Sequence, residues 1–352
     1  MRVESRQFLK RLVTTPSPSG SESRIQEVCK EYVSPFVDEV YKDVHGNQYA
    51  VKNPKGKLRV MLAGHVDEIG LMVNNIDDKG YLSFVSIGGV DTAVLGAQRV
   101  AVHGPKGPVP GVIGRTAIHL IEPEDRGKAV KIHQMWIDIG AKDKKDAERV
   151  VAVGDSITID VGYLELRDNK VVARAFDDRI GAFVVIETMR LLANRKVDCA
   201  VFCVTTVQEE IGLRGAVTST YGCQPHVGVA VDVTHASDYP TSDAKKQGDI
   251  KINGGPVVER GPNINPVVER TLIKAAKSKK LRCQISAAPR GTGTDANAMQ
   301  LSRGGVAAGL ISIPNRYMHS AVELIALRDV EQASVLLAEW TCSLKSDMSF
   351  IP

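Results

Sequence analysis

Apolar and polar residues follow two different patterns along the chain. Toward both ends, short apolar runs alternate with longer segments in which apolar residues recur every three or four positions, the period of an amphipathic helix. The short runs predict strands over 58–63, 199–207, 227–233, 283–287 and 306–313. The longer segments predict helices over 180–192, 267–279, 294–302 and 329–344. This alternation predicts an α/β fold with a mainly parallel sheet covered by helices on both faces.

The middle of the chain has a different pattern. Short β-like runs over 81–87, 98–103, 109–113 and 156–161 are separated by turns rich in glycine and proline. We therefore expect a small all-β, barrel-like domain over 71–164. It would be inserted into a larger domain that the segments 1–70 and 165–352 build together.

Composition excludes several classes of protein. Among 352 residues, 45 Lys+Arg against 41 Asp+Glu leave a net charge of only +4, which gives no electrostatic reason to expect a nucleic acid or an anionic membrane as partner. No apolar stretch approaches the roughly 20 residues of a membrane span, and the N-terminus lacks a signal peptide's apolar core. The six cysteines show no paired spacing and read as reduced core thiols. We expect a cytoplasmic protein.

Candidate chemistry begins with Glu209 and Glu210, which directly follow the apolar run 199–207. Two carboxylates at the end of a buried strand are costly unless a cation accompanies them. Because ligand crevices form at strand ends in open α/β sheets, further ligands are expected at other element boundaries. The chain places five there: His65, Asp67, Asp177, Asp232 and His319.

This set of residue types favours a metal site. Histidines and carboxylates without thiols suit zinc, cobalt or manganese, and they do not resemble a structural cysteine-rich zinc site. More ligands are present than one tetrahedral ion requires, which favours two ions sharing a carboxylate. Taken singly, each signal has an ordinary explanation, because Asp177 and Asp178 could cap a helix and Asp232 or His319 could lie in plain loops.

Five segments together resemble the M42 family of metallo-aminopeptidases, which includes glutamyl and tetrahedral aminopeptidases and some members labelled endoglucanases. They span 63–70, 174–181, 207–216, 232–238 and 314–320. Related deacylases and carboxypeptidases use a similar ligand order. However, their extra domain typically falls between the fourth and fifth ligands, whereas the large gap here lies between His65 and Asp177. The early insert is similar to that of M42.

The resemblance implies a ligand set for two divalent metal ions, zinc or cobalt. His65, Asp177 and Asp232 would hold one ion. Asp177, Glu210 and His319 would hold the other, so that Asp177 bridges the pair.

The resemblance also implies roles for two further carboxylates. Asp67 would accept a hydrogen bond from the far imidazole nitrogen of His65, and Glu209 would act as general base and later as acid. Because consecutive side chains after a strand point in opposite directions, Glu210 could face the metal while Glu209 faces the water.

The implied activity is removal of N-terminal residues from short peptides by metal-activated water. The insert would form dimers, and these would assemble into a tetrahedral dodecamer. Three alternatives stay open: an N-acyl amino acid deacylase, an endo-β-glucanase type of glycosidase, and a metal-bearing scaffold without turnover. The glycosidase is disfavoured because only Trp136 and Trp340 supply tryptophan rings for sugar stacking.

Overall fold

A computed structural model describes residues 1–352. The helices are α1 (Val3–Thr14), α2 (Ser23–Val33), α3 (Lys144–Ala147), α4 (Phe176–Leu192), α5 (Arg214–Cys223), α6 (Ala244–Gln247), α7 (Pro266–Ser278), α8 (Asp295–Gln300) and α9 (Leu327–Ser343). The strands are β1 (Glu39–Lys42), β2 (Gln48–Lys52), β3 (Leu58–His65), β4 (Gly70–Ile76), β5 (Leu82–Ile87), β6 (Arg99–Gly104), β7 (Gly107–Arg115), β8 (Met135–Asp138), β9 (Ser156–Ile159), β10 (Leu164–Glu165), β11 (Lys170–Ala173), β12 (Cys199–Thr206), β13 (Val227–His235), β14 (Val257–Arg260), β15 (Gln284–Ala287), β16 (Ala307–Asn315) and β17 (Glu323–Ala326).

The largest sheet has eight strands in the order β1-β2-β12-β3-β13-β16-β14-β15. Its central strands β12, β3, β13 and β16 run parallel to one another, and β14 and β15 are also parallel. Antiparallel pairing joins β1 to β2, β2 to β12, and β14 to β16. The prediction of a mainly parallel sheet is confirmed, and the structure adds antiparallel pairs toward both edges.

Helices cover both faces of this sheet. On one face, α1, α2, α4, α7 and α9 contribute to a core of 49 buried apolar residues, which is the main packing interface of the chain. A smaller core on the other face includes residues of α5 and α8, among them Cys223, Ala296 and Met299. The central strands β3, β12, β13 and β16 are mostly apolar and mostly buried, as expected for parallel strands that are covered on both faces. β12 is buried at every position.

Helix α4 is central to both packing and the site. It packs against β3, β13 and α9. Its close approach to the sheet depends on Gly64 and Gly181, because a Cβ at either position would meet backbone atoms of the facing element. Asp177 (φ −77°, ψ 109°) and Asp178 (φ −119°, ψ 37°) depart from helical geometry near its start. The regular helix therefore begins near the predicted position 180.

The strands β4, β5, β8, β7, β6 and β9 close into a barrel, in that order and with antiparallel pairing throughout. The barrel has its own apolar core, which includes Leu71, Phe84, Val102, Ile137 and Ile157. The all-β, barrel-like insert is thus confirmed as part of the fold class. A third sheet, β10-β11-β17, is antiparallel. No helix is long and apolar enough to cross a membrane.

Candidate active site

The sheet brings two of the candidate positions to one edge. His65 is the last residue of β3, and it lies beside Thr206, the last residue of the parallel strand β12. Asp232 lies toward the carboxyl end of β13, which pairs with the other side of β3. Because parallel strands end at the same edge of a sheet, these positions converge even though their sequence separations are large.

Two further ligand candidates reach this edge from outside the sheet. Asp177 lies at the start of α4, which packs on β3 and β13. His319 lies in the loop between β16 and β17 and has a left-handed backbone conformation (φ 60°). Asp177 therefore approaches the strand ends from the face that α4 covers, and His319 approaches from the β16–β17 loop.

Asp177 lies between the two histidines. Its Oδ1 is 3.3 Å from Nε2 of His65, and its Oδ2 is 3.2 Å from Nε2 of His319. Glu210 lies on the His319 side, where its Oε2 is 3.5 Å from Nε2 of that histidine. One carboxylate thus offers one oxygen to each half of the cluster, which is the arrangement that a bridging ligand needs.

The other half of the cluster contains His65, Asp178 and Asp232, whose ligand atoms lie within 4.8 Å of one another. Asp178 already accepts hydrogen bonds from the backbone N–H groups of His65 (3.1 Å) and Gly181 (2.9 Å). Its oxygens are therefore committed to holding the backbone. Asp232 accepts only from the adjacent N–H of Val233 at 2.7 Å, which leaves it the better ligand.

Asp67 organises the turn that follows β12. Its Oδ1 accepts from the backbone N–H of Glu209 at 3.0 Å, and its Oδ2 accepts from that of Glu210 at 3.2 Å and from the Ser19 hydroxyl at 2.7 Å. Nδ1 of His65 lies 3.3 Å from Oδ1 of the same carboxylate. One fully buried carboxylate therefore contacts three candidate site residues.

The geometry of this turn corrects one expectation. Glu209 and Glu210 do not continue the alternation of a strand, because β12 ends at Thr206 and Gln208 has a positive φ of 54°. Their side chains diverge because the turn directs them apart. Oε2 of Glu209 comes to 3.7 Å from Nε2 of His65, whereas Glu210 approaches His319.

Electrostatics show a site crowded with buried carboxylates. Burial, together with neighbouring carboxylates, raises the pKa of Glu209 to about 10 and that of Glu210 and Asp232 to about 8. Hydrogen bonding to Asp177 raises the pKa of His319 to about 9. Burial alone would raise the pKa of Asp177, but its contacts with the two histidines lower it.

The donor set fits divalent cations. Nε2 of His65 and Oε1 of Glu210 are buried and have no hydrogen-bond partner, although buried polar atoms normally have one. Both belong to residue types that bind zinc or cobalt, and both lie in the group of His65, Asp177 and Glu210 whose ligand atoms are within 4.8 Å of one another. A cation bound there would satisfy these atoms and offset the carboxylate charge.

A buried charge network supports the loop that carries Asp67. Glu68 pairs with Arg174 through Oε2 and with Arg179 through Oε1, the latter at 2.6 Å. Arg179 is fully buried and also donates to the Leu12 carbonyl (2.5 Å) and the Ser17 hydroxyl (2.7 Å). The network ties the segment after β3 to α1 and to the start of α4.

Sequence reasoning missed four other groups near the site. Glu323 accepts from the backbone N–H groups of Asp177 and His319, each at 2.9 Å. The Gly89 carbonyl, in the loop that joins barrel strands β5 and β6, lies 2.9 Å from Nδ1 of His319. Asp295 accepts from the Thr206 hydroxyl at 2.6 Å. Of these four, Glu68 lies in the segment 63–70 that resembles M42, directly after Asp67.

A cavity lies beside the cluster, between the barrel and the larger sheet. It reaches Asp177, Glu210 and His319, and its opposite walls are apolar. These walls include Ile69, Leu71, Val90, Leu95 and Ile157. The barrel thus contributes directly to the surroundings of the candidate ligands.

Comparison with known proteins assigns the family. The family model described as M42 glutamyl aminopeptidase matches residues 46–336. A lysyl aminopeptidase from Pyrococcus furiosus is 37% identical over 353 residues, covering 98% of this chain and 99% of the relative. A TET aminopeptidase from a marine sediment archaeon of the Thaumarchaeota has a TM-score of 0.93 at 35% identity, with 98% of each chain covered.

A third relative is described as capable of assembling into a tetrahedron or a large octahedral shell. It is the TET1 peptidase of Pyrococcus horikoshii, with a TM-score of 0.87 at 30% identity over 97% of this chain and all of that one. These matches confirm the predicted resemblance and the enzyme class, a peptidase of the aminopeptidase type. The M42 family also implies divalent metals, in agreement with the buried donor set. The chain belongs to the M42 glutamyl aminopeptidase family.

Proposed function

We propose that this chain is a di-metal aminopeptidase that removes N-terminal residues from short peptides. The observation that carries the proposal is the convergence of His65, His319 and Glu210 around Asp177. Asp177 is 3.3 Å from His65 and 3.2 Å from His319, Glu210 is 3.5 Å from His319, and Asp232 lies in the group around His65. Family membership supplies the reaction class. Buried, unpartnered ligand atoms supply the reason to expect cations.

The proposed ligands divide into two sets that share Asp177. His65, Asp177 and Asp232 would hold one ion, and Asp177, Glu210 and His319 the other. Zinc or cobalt fits these imidazole and carboxylate donors. When bound, such a pair lowers the pKa of a water and polarises the scissile carbonyl.

Glu209 is the proposed general base. Its carboxylate lies beside the His65 end of the cluster, and its backbone is held by Asp67. It accepts the proton of the attacking water and later delivers a proton to the leaving amine. Asp67 acts through its neighbours, because it positions both the His65 ring and the peptide group of Glu209.

The proposed site also accounts for cleavage at the N-terminus. Glu209, Glu210 and Asp232 are all buried carboxylates close to the proposed metals, and no lysine or arginine pairs with them. The free α-amine of a peptide would be held by a bound metal ion or by an ionised carboxylate there, whereas an N-blocked peptide offers no such group.

The assembly proposal concerns the insert. We assign residues 1–70 and 165–352 to the catalytic domain and 71–164 to an inserted domain that dimerises. The barrel formed by β4 to β9 spans residues 70–159, so all of it except Gly70 lies in that segment. A relative with 30% identity assembles into a tetrahedron or an octahedral shell. A dodecamer of this chain would enclose its active sites and restrict substrates to short peptides.

The function is tested with metal-loaded protein and aminoacyl chromogenic substrates, each assayed with Zn²⁺, Co²⁺ and Mn²⁺. We expect hydrolysis of free-amine substrates, rejection of N-blocked ones, loss of activity with a strong chelator, and recovery with Zn²⁺ or Co²⁺. Glu209→Gln should keep the metal content and lose activity by about 10²–10⁴-fold. The control is Glu148→Gln, an exposed glutamate in the insert.

Other outcomes identify the alternatives. Equal hydrolysis of N-blocked substrates indicates a deacylase, and chelator-resistant activity on β-glucans indicates a glycosidase. A protein that binds metal but hydrolyses none of these substrates is a scaffold. Each of these results contradicts the aminopeptidase proposal.

A further inference from the structure

We propose that Glu323 is a positioning residue of the metal site, which holds Asp177 and His319 in their ligand geometry through their backbone amides. Its Oε2 accepts from the N–H of Asp177 and its Oε1 from the N–H of His319, each at 2.9 Å. The proposal rests on the function above, since it concerns residues assigned there as ligands.

Strand pairing explains how Glu323 reaches both residues. It is the first residue of β17, and it lies opposite Ala173, the last residue of β11. The chain continues from β11 through a short connection to Asp177, and it enters β17 directly from the loop that carries His319. Glu323 is 2% exposed, so its two hydrogen bonds are made out of water.

Both amides need an acceptor that regular structure does not provide. Asp177 stands at the start of α4, where helical N–H groups have no partner within the helix, and its own φ and ψ are not helical. His319 adopts a left-handed conformation with φ 60°, which is uncommon for residues other than glycine and persists only where the surroundings hold it. Glu323 satisfies both groups at once.

Accepting two backbone N–H groups with one side chain favours a carboxylate. An ionised glutamate has two acceptor oxygens and no donor, so each oxygen can serve one amide. A glutamine would accept one N–H and present its own NH₂ to the other. That replacement leaves a buried backbone donor without an acceptor, which displaces the residue that carries it.

The two hydrogen bonds that Glu323 accepts, here called the clamp, act on one half of the cluster. Asp177 and His319 are two of the three ligands proposed for the same ion, while the other ion is also held by His65 and Asp232. Loss of the Glu323 contacts should therefore weaken binding of the ion assigned to Asp177, Glu210 and His319, here called the second ion, more than binding of the other. Outer partners of metal ligands typically change metal affinity or activity by about 10–100-fold.

The test is Co²⁺ titration of Glu323→Gln, followed by equilibrium dialysis and by the visible d–d absorption of bound cobalt. We expect the second ion's dissociation constant to rise about 10–100-fold, with an altered cobalt spectrum and a lower kcat at saturating metal. Glu187→Gln is the matched control, because Glu187 is also a buried glutamate but contacts the Ser5 and Tyr32 hydroxyls in the C-terminal half of α4. It should keep the wild-type spectrum and affinity.

The outcomes distinguish failure of the proposed function from failure of the role assigned to Glu323. If wild-type protein binds fewer than two Co²⁺ per chain, the proposed function fails. If wild type binds two and Glu323→Gln binds both with unchanged affinity and spectrum, the clamp is overturned. Should Glu323→Gln not fold, Glu323→Asp decides, because it keeps two acceptors but withdraws them by one methylene. An unchanged second-ion affinity in that variant also overturns the proposal.

Discussion

The carboxylate of Asp67 accepts the backbone N–H of Glu209 at 3.0 Å. One residue thereby links the end of β3 to the turn after β12. Since the other oxygen of Asp67 holds the Glu210 amide, the two glutamates are fixed relative to His65 by one side chain. We therefore expect the position of Glu209 relative to His65 to depend on the Asp67 carboxylate more than on the backbone conformation of the turn.

Asp67→Asn should therefore impair catalysis without unfolding the protein. The amide keeps one acceptor but turns an NH₂ toward the second backbone N–H, so the turn shifts. We expect kcat to fall about 10–100-fold, with a smaller change in KM. Asp249→Asn, an exposed surface aspartate, is the control and should leave both parameters unchanged. Equal kinetics for the two variants would show that Asp67 has no positioning role.

The pairing of Glu68 with Arg174 and Arg179 predicts a large loss of stability on its removal. Glu68→Gln leaves the buried guanidinium groups without a counter-charge, which typically costs about 3–5 kcal/mol. Urea unfolding of metal-free protein measures this loss. The control is Glu31→Gln, which breaks the exposed pair with Arg11 and should cost less than about 1 kcal/mol. Similar costs for both variants would refute the role assigned to the network.

The close approach of α4 predicts sensitivity at Gly181. A Cβ there would collide with the Val231 carbonyl and the Asp178 carboxylate, so α4 has to move away from the sheet. Gly181→Ala should destabilise the protein by about 1–3 kcal/mol and reduce kcat, because Asp177 moves with the helix. Gly127→Ala, where a Cβ meets nothing, is the comparison. Wild-type stability and kcat in Gly181→Ala would contradict the packing argument.

Metal removal should lower thermal stability as well as activity. A ligand that binds only the folded protein stabilises it by about 4 kcal/mol when its concentration is a thousand times its dissociation constant. We expect the Tm to fall on chelation and to recover with Zn²⁺ or Co²⁺. Asp177→Asn should lose most of this metal-dependent shift, since Asp177 contacts both histidines. A shift of wild-type size in that variant would exclude it as a bridging ligand.

The six cysteines should be largely inert in the folded protein. Burial raises the pKa of the Cys29 and Cys223 thiols to about 12, and it also raises that of Cys203, so thiolate is scarce at pH 8. Only Cys283 and Cys342 are partly exposed. A thiol reagent at pH 8 should modify at most these two before unfolding and all six afterwards. Rapid reaction of a third cysteine would contradict the burial described.

Sequence patterns predicted the parallel sheet because its central strands are buried and mostly apolar. They predicted the insert because short β-like runs and turns rich in glycine and proline replace the alternation of strands and helices there. They also collected the candidate ligands, since His65 and Asp232 stand at or near strand ends. The antiparallel edges were not predictable, because strand polarity in a sheet depends on long connections that carry no local signal.

Residues that act through backbone amides were harder to find. In the sequence, nothing distinguishes Glu323 from other glutamates. Its contacts with the backbone amides of Asp177 and His319 form only when β17 pairs with β11. The divergence of Glu209 and Glu210 was anticipated for the wrong reason, since it arises from the positive φ of Gln208 rather than from strand alternation. Both cases depend on tertiary structure that one-dimensional spacing does not contain.

The hydrogen-bonding distance between the Gly89 carbonyl and Nδ1 of His319 has a consequence for protein engineering. The barrel supplies an atom to the ring of a proposed ligand, so it cannot be excised as a removable module without also altering that imidazole. A shortened chain in which a tight linker replaces the insert would have to provide a substitute acceptor at this point.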